Sequence, residues 1–246
     1  MRIELFKYHL FFFSALLSCL ASGKDVQMAF SQEIPPYIFE KSNKGIEIDI
    51  ISAALAYQGH TLKPLYFPLG RIPIAFSQNI VDAAMGDIGV NLKLKGGFYA
   101  NPAVIYDNVF ITLKSRNIVI KKPSDLDSLL VVSFQGAELR YSKWLKKIVE
   151  ENRFFGVSNQ LTQVKLLYLG RYDVVLCDRY IFKYFVNKLR LMNDLEVDEH
   201  PFISVDPNDY RPVFRDKKIR DDFNLGLKKL KESGEFQKIY NNYMNL

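Results

Sequence analysis

The stretch "LYLGRYDVVLCDRY", residues 167–180, contains a short apolar run, Val174 to Cys177, with an aspartate at each end. A run this short and this apolar is typical of a strand that is buried on both faces, as in parallel sheets covered by helices. Asp173 lies where the chain enters this strand, and Asp178 lies where it leaves. The question is why a carboxylate is fixed at the far end of a buried strand.

Apolar runs and helical patterns alternate along the rest of the chain, which favours an α/β fold. Strands are predicted at DVQMAF (25–30), TLKPLYF (61–67), DNVFITL (107–113), LLVVSF (129–134) and DVVLC (173–177). Helices are predicted at 45–59, 72–79, 137–152, 158–170 and 179–190, with a turn and short helix at 123–129 and two closing helices hinged at Gly234.

Two features predict two lobes instead of one sheet. The pattern restarts after residue 113, and the irregular stretch "EHPFISVDPNDYRPVF", 199–214, carries the prolines and aspartates of a crossing. We place lobe one at 24–112 plus 205–246 and lobe two at 113–204, each a central, mostly parallel sheet flanked by helices. Because the chain would cross twice, we expect a hinge that closes over a ligand.

Residues 1–23 are typical of an export signal, with basic Arg2 and Lys7, the apolar core "LFFFSALLSCLA" and small residues for cleavage. A retained membrane anchor is one alternative, although the apolar core is shorter than the about 20 residues that span a bilayer. Lipidation at Cys19 is another, because "LLSC" resembles a bacterial lipoprotein box. We therefore expect a periplasmic protein, either released or lipid-anchored.

The composition argues against several other classes of protein. Lys and Arg outnumber Asp and Glu by 33 to 27, but the positive charge is spread out, so we expect no nucleic-acid partner. Once the leader is removed only Cys177 remains, which excludes an internal disulfide and a cysteine-based metal cluster. His9, His60 and His200 are scattered and supply no zinc ligand set. We expect no metal and no other cofactor.

The order and spacing of several motifs carry a family resemblance. In chain order these are PPYIF (35–39), GIEIDI (45–50), GRIPIAFSQNIVDAAMG (70–86), PSDLDSLLVVSFQG (123–136), LGRYDVVLCD (169–178) and LGLKKLKESGEFQKIYNNYM (225–244). Together they resemble the family 3 periplasmic solute-binding proteins, best known as amino-acid receptors of ABC transporters. The resemblance implies the class II periplasmic-binding-protein fold, a small solute as ligand, a membrane permease as partner, a monomer, and no enzymatic activity in most members.

Asp178 is the first candidate for ligand contact, because open α/β sheets bind ligands beyond the carboxyl ends of their strands. The resemblance implies that it faces the ligand's ammonium group. The alternative is that Asp178 caps the helix that follows, since aspartate is a favoured N-cap, and both roles can hold at once.

Gln135 and Gly136 end one strand and open a helix, so their backbone amides are candidates for an anion site, which the resemblance assigns to a ligand carboxylate. The alternative is ordinary turn chemistry. Tyr37 follows two prolines that stiffen its loop, and it is either an aromatic wall for the solute or simple packing.

One stretch departs from the family pattern. Where amino-acid receptors carry T-x-x-R before F-S-x-P-Y, this chain has "VNLKLKGGFYANPAV", 90–104, with lysines at 93 and 95 and no arginine. Lysine cannot grip a carboxylate bidentately, so α-amino-acid specificity is not implied. Lys93 either meets an anion or is a solvated lysine. Arg71 is either a carboxylate, phosphate or hydroxyl ligand or part of a surface ion pair.

Three functions fit these patterns. The first is a receptor that presents a small polar solute to a permease. The second is a dehydratase-type enzyme on the same scaffold, for which Glu138 and Asp178 would be the candidate acids or bases. The third is a sensor whose closed form docks on a membrane kinase or chemoreceptor. The leader, the two-lobe pattern and the resemblance favour the receptor, without enzymatic activity.

Overall fold

The computed structural model describes residues 23–189, 196–202 and 210–244. The predicted leader up to residue 22, including Cys19, lies outside the described residues. The predicted return to lobe one between 204 and 205 lies outside them as well.

The described strands are β1 (Asp25–Ser31), β2 (Thr61–Phe67), β3 (Ala83–Ala84), β4 (Phe98–Tyr99), β5 (Asn108–Leu113), β6 (Val131–Phe134), β7 (Phe154–Val157), β8 (Val174–Asp178), β9 (Val197–Pro201) and β10 (Val213–Phe214). The described helices are α1 (Ile46–Ala56), α2 (Ile72–Ser77), α3 (Ala137–Arg140), α4 (Ser142–Glu150), α5 (Gln160–Tyr168), α6 (Arg179–Leu189), α7 (Lys217–Glu232) and α8 (Glu235–Met244). None of the helices in these ranges combines the length and the apolar character that crossing a membrane requires.

The strands form two five-stranded sheets, one in each lobe, which confirms the predicted two-lobed α/β fold. The first sheet has the order β2–β1–β3–β10–β4, and the second has the order β7–β6–β8–β5–β9. Both sheets are mixed. Four strands of each sheet run in one direction, whereas the fifth, β10 or β5, runs antiparallel to its neighbours. The antiparallel strands are those that enter each sheet from the other lobe.

The pairing of strand β5 indicates where the chain first crosses between the lobes. It pairs along its length with β8 and β9, so all of Asn108–Leu113 lies in the second sheet. The predicted boundary after residue 112 would cut this strand. We therefore propose that the first crossing runs through residues 100–107. It lies beside the return crossing, because the backbone N–H of Ala100 donates to the carbonyl of Pro212 over 2.8 Å.

The predicted helix over 137–152 is wrong as a single element. The chain breaks at Tyr141, whose backbone leaves the helical region at φ −110° and ψ 37°, and α3 and α4 lie on either side. The Tyr141 ring is buried edge-on against Phe134 and Phe202, so tertiary packing overrides the continuous amphipathic pattern. Strands β7 and β9 are absent from the sequence prediction, because neither β7 nor β9 has a fully buried apolar run.

Helix α7 shows how sequence produces packing in lobe one. Asp216 caps it by accepting hydrogen bonds from the N–H groups of Lys218 and Ile219. Its buried face packs on α1, and at Gly226 the two backbones touch, since a Cβ there would lie 1.9 Å from the carbonyl oxygen of Ala54. Only glycine permits this approach between the two helices.

We expect Gly226→Ala to lower the free energy of unfolding by at least about 2 kcal/mol. The cost of overpacking two backbones exceeds the about 1 kcal/mol that alanine gains in helix propensity. Urea denaturation followed by circular dichroism measures the change. Lys229→Ala, at an exposed position of the same helix, is the control and is expected to stay within about 0.5 kcal/mol of the parent. Equal stability of Gly226→Ala and the parent would contradict this close packing.

Candidate ligand-binding site

A cavity lies between the two lobes at the carboxyl ends of their parallel strands. Ser31 ends β1, Phe134 ends β6 and Asp178 ends β8, and all three line it. Gly86, just after β3, lines it as well. Loops and helix starts converge at this edge in open α/β sheets, which is why ligands bind there.

The cavity is small because the lobes are closed. Its volume is about 50 Å³, taken as the space open to the centre of a water-sized sphere. By this measure a water molecule needs on the order of 10–15 Å³, so the cavity holds only a few water-sized groups. Most of its wall is apolar, with side chains such as Ile34, Leu69 and Met85.

Several contacts between described residues join the rims of the two lobes. Asp87 of lobe one accepts a hydrogen bond from the guanidinium of Arg140 on α3 over 2.8 Å, and the Arg140 side chain is only 6% exposed. Gly70 lies against the side chain of Gln135. Gly136 lies so close to Ile88 that a Cβ on it would be 2.7 Å from that side chain.

Asp178 is buried, and its carboxylate accepts hydrogen bonds from three backbone N–H groups and lies beside the Tyr37 hydroxyl. Oδ1 accepts from the N–H groups of Tyr180 and Ile181, which is the predicted N-cap of α6. Oδ2 accepts from the N–H of Asp107 over 2.6 Å and lies 3.3 Å from the hydroxyl of Tyr37. Burial raises the pKa of Asp178 to about 7, and these hydrogen bonds oppose the rise. The ammonium contact stays a prediction.

Glu47, near the start of α1, is a second buried carboxylate on the cavity wall, and sequence analysis missed it. It is 2% exposed, and the hydroxyl of Tyr106 donates to its Oε2 over 2.5 Å. Burial raises the pKa of Glu47 to about 8, more than the Tyr106 hydrogen bond lowers it. The available signal was a glutamate between two isoleucines in a largely apolar helix.

Tyr37 supports the wall of the cavity from behind. Its ring packs on Tyr106, with centroids 4.3 Å apart, and Tyr106 packs in turn on Tyr210 at 4.6 Å. Tyr106 and Tyr210 line the cavity and come from the two crossings, one each. The guanidinium of Arg140 lies 4.2 Å from the centre of the Tyr210 ring. A continuous series of tyrosine rings thus connects Asp178 with Arg140 at the rim.

The other predicted residues lie away from the cavity wall. Arg71 and Lys93 are exposed. Gln135 faces Gly70 across the rim, and the N–H of Gly136 donates to the carboxylate of the chain's own Glu138 over 3.1 Å. Their roles in ligand binding stay predictions.

Asp173, at the other end of β8, forms hydrogen bonds with the neighbouring loops. Its Oδ2 accepts from the N–H of Leu130 over 2.8 Å, and its Oδ1 pairs with Arg116. The two aspartates that enclose the buried strand therefore have different tasks, since only Asp178 lies in the cleft.

Two sheets, two crossings and a cavity between the strand ends define a two-lobed solute-binding protein. Residues 26–246 match the sequence model of the bacterial extracellular solute-binding proteins, family 3, and the chain belongs to this family.

Solved structures share the fold at low sequence identity. An ancestral arginine-binding protein bound to arginine is 19% identical, with a TM-score of 0.70 over 89% of this chain and 97% of that chain. An ABC uptake transporter substrate-binding protein from Streptococcus pneumoniae with bound histidine is 17% identical, with a TM-score of 0.67 over 93% and 96%. The ancestral amino-acid-binding protein AncCDT-1, a precursor of cyclohexadienyl dehydratase, is 16% identical, with a TM-score of 0.68 over 89% and 95%.

We expect the free energy of unfolding to fall as the pH rises from about 4.5 to about 8. The folded protein keeps a proton on Glu47 up to about pH 8, whereas the unfolded chain releases it near 4.5, so raising the pH favours unfolding. Asp178 acts in the same direction between about 4 and about 7. The slope for one such proton approaches about 1.4 kcal/mol per pH unit. Urea denaturation at several pH values measures it.

Glu47→Gln separates this effect from general acid or base sensitivity. The variant should match the parent near pH 4.5 and exceed it in stability near pH 8, because glutamine has no proton to lose. Asp25→Asn, at an exposed site, should keep the parent's slope. A parent whose stability rises steadily across this range would contradict the burial of an uncompensated carboxyl group.

Proposed function

We propose that this protein is an exported receptor that captures a small polar solute, an amino acid or a related compound, between its two lobes and presents it to the permease of an ABC transporter. The observation that carries the proposal is the cavity at the facing strand ends, whose walls come from both lobes and from both crossings. Hinge closure over a ligand is the motion that such a double crossing permits.

The family supports export and solute binding. Its members are extracellular, in agreement with the predicted signal at residues 1–23. Similar structures hold arginine and histidine, and one of them is a substrate-binding protein of an ABC uptake transporter. We propose that the receptor works as a monomer, either released into the periplasm or anchored at Cys19.

The proposal includes the absence of enzymatic activity. Glu138, the sequence-based candidate for an acid, does not line the cavity and accepts a hydrogen bond from the N–H of Gly136. The likeness to a dehydratase precursor concerns the fold. A bound solute recovered chemically unchanged after long incubation supports a receptor, whereas its conversion would favour the enzyme. Loss of uptake of that solute in a strain lacking the protein supports transport over sensing.

A thermal-shift screen of amino acids, amines, sugars and organic acids tests binding itself. We expect at least one compound to raise the melting temperature in a concentration-dependent way, because a ligand that binds only the folded state stabilises it by mass action. The failure of all four classes would contradict the proposed function.

A bulky substitution at the rim of lobe one tests whether the two lobes must close on the ligand. Gly70→Trp should weaken binding of the ligand found in the screen by at least about tenfold and enlarge the radius of gyration, because the indole would hold lobe one away from Gln135. Calorimetry and small-angle scattering measure the two effects. In the matched control Gly70→Ala, the flexible Gln135 side chain can move aside, so binding should change less than about threefold. Parent-like affinity in Gly70→Trp would show that binding does not require this closure.

A further inference from the structure

Glu47 is a buried carboxylate on the cavity wall that has no cationic partner among the described residues. Its side chain takes part in one hydrogen bond, from the Tyr106 hydroxyl to Oε2, and in no ion pair. A carboxylate buried in this way is costly unless a positive charge or further donors meet it. A ligand that brings such a group would remove the cost.

Asp178 adds to the negative potential of the same cavity. It also forms no ion pair with a described residue, but three backbone N–H groups donate to its oxygens and the Tyr37 hydroxyl lies 3.3 Å from Oδ2. Glu47, with one hydrogen bond, retains more acceptor capacity than Asp178. The direct contact with a cation therefore falls to Glu47, while Asp178 contributes charge.

The wall offers no comparable partner for an anion. Among the described residues that line the cavity, Arg140 is the cationic one, and its guanidinium is already hydrogen-bonded to Asp87 and stacked over Tyr210. The N–H of Gly136, which would suit a carboxylate, donates to Glu138 instead. A ligand carboxylate would have to compete with Asp87 for the Arg140 guanidinium or with Glu138 for this N–H.

Aromatic side chains complete an environment suited to an organic cation. Tyr106, Tyr210 and Phe134 line the cavity together with Glu47. Aromatic faces attract ammonium groups by about 0.5–2 kcal/mol, and more strongly where water is excluded. The small volume of the cavity limits the ligand to a few heavy atoms.

We propose that the cavity binds a small protonated amine that carries no carboxylate, with Glu47 as its counter-ion. This inference rests on the proposed function, whose ligand class it narrows from amino acids and related compounds to simple amines. Arg140 acts as a specificity residue, because a ligand carboxylate would have to compete with Asp87 for its guanidinium.

Amine binding is coupled to proton release. Tyr106 from the first crossing is hydrogen-bonded to Glu47, and Tyr66 from β2 and Tyr240 from α8 interact with it electrostatically. Among the described residues, Arg140 and Asp178 are the other charged side chains that line the same cavity. When a protonated amine enters, Glu47 loses its proton to solvent and keeps the ammonium group as its partner. The reaction conserves charge, because one cation binds and one proton leaves.

Pairs of compounds that differ by one carboxylate test the ligand class. We compare ethylamine with alanine, ethanolamine with serine, and isobutylamine with valine by calorimetry at pH 7, in buffers with different ionisation enthalpies. At least one amine should bind about tenfold or more tightly than its amino acid, and its binding should release up to one proton. Tighter binding of the amino acids, equal binding of the neutral alcohol ethanol, or amine binding without proton release would overturn the proposal.

Glu47→Gln tests the counter-ion. We expect it to lower amine affinity at least about tenfold and to abolish the proton release, since the amide can neither ionise nor pair with the ammonium group. Asp49→Asn removes a charge from the same helix outside the cavity and should change affinity less than about twofold. Unchanged amine affinity in a folded Glu47→Gln variant would overturn the assignment, and circular dichroism checks the folding.

The outcomes separate this inference from the proposed function. If a sugar, organic acid or amino acid binds and the Gly70→Trp substitution weakens it, the receptor function stands and the amine assignment fails. If no compound of any class binds, both fail.

Discussion

The pairing of β8 is the constraint on which the rest of the structure depends. This strand, buried along its whole length, lies parallel to β6 and antiparallel to β5. The first pairing places the ends of β8 and β6 at the same edge, so Asp178 and Phe134 face the cleft together. The second ties that edge to the crossing, because β5 is the strand that brings the chain into lobe two. A shift of β8 by one residue would turn its carboxylate to the opposite face of the sheet and change the position of the crossing.

Burial of charge gives the cleft its chemical character. Glu47 and Asp178 are both removed from water, and their raised pKa values follow from desolvation. The backbone around Asp178 compensates with hydrogen bonds, since β8 ends where α6 begins and the crossing contributes the N–H of Asp107. Glu47 has only a tyrosine hydroxyl. The two carboxyl groups therefore differ in their partners. Asp178 accepts hydrogen bonds from backbone N–H groups, whereas Glu47 accepts one from a tyrosine side chain.

Sequence patterns predicted most of the architecture, because the buried strands β5, β6 and β8 are short and strongly apolar and the helices that follow β6 and β8 have an amphipathic pattern. The predicted cap at Asp178 also follows from local chemistry. The cavity wall was less accessible to prediction. Glu47, Arg140 and Tyr210 are far apart in sequence, and they meet only because the lobes close on one another. The position of Arg140 was also hard to predict because the sequence pattern indicated one continuous helix. That helix breaks at Tyr141, whose ring is buried against Phe202. Short strands such as β4 and β10, two residues each, carry no periodicity from which to predict them.

The ion pair between Asp87 and Arg140 has a consequence for the geometry of closure. A largely buried pair gains little net energy, because each charge gives up its hydration when the lobes meet. Its effect is selective instead: if one lobe twisted or slid relative to the other, both charges would be dehydrated without meeting, at a cost of several kcal/mol. The pair therefore destabilises misaligned closed forms more than it stabilises the correctly aligned one. Correct alignment of the two lobes follows from this destabilisation of the alternatives.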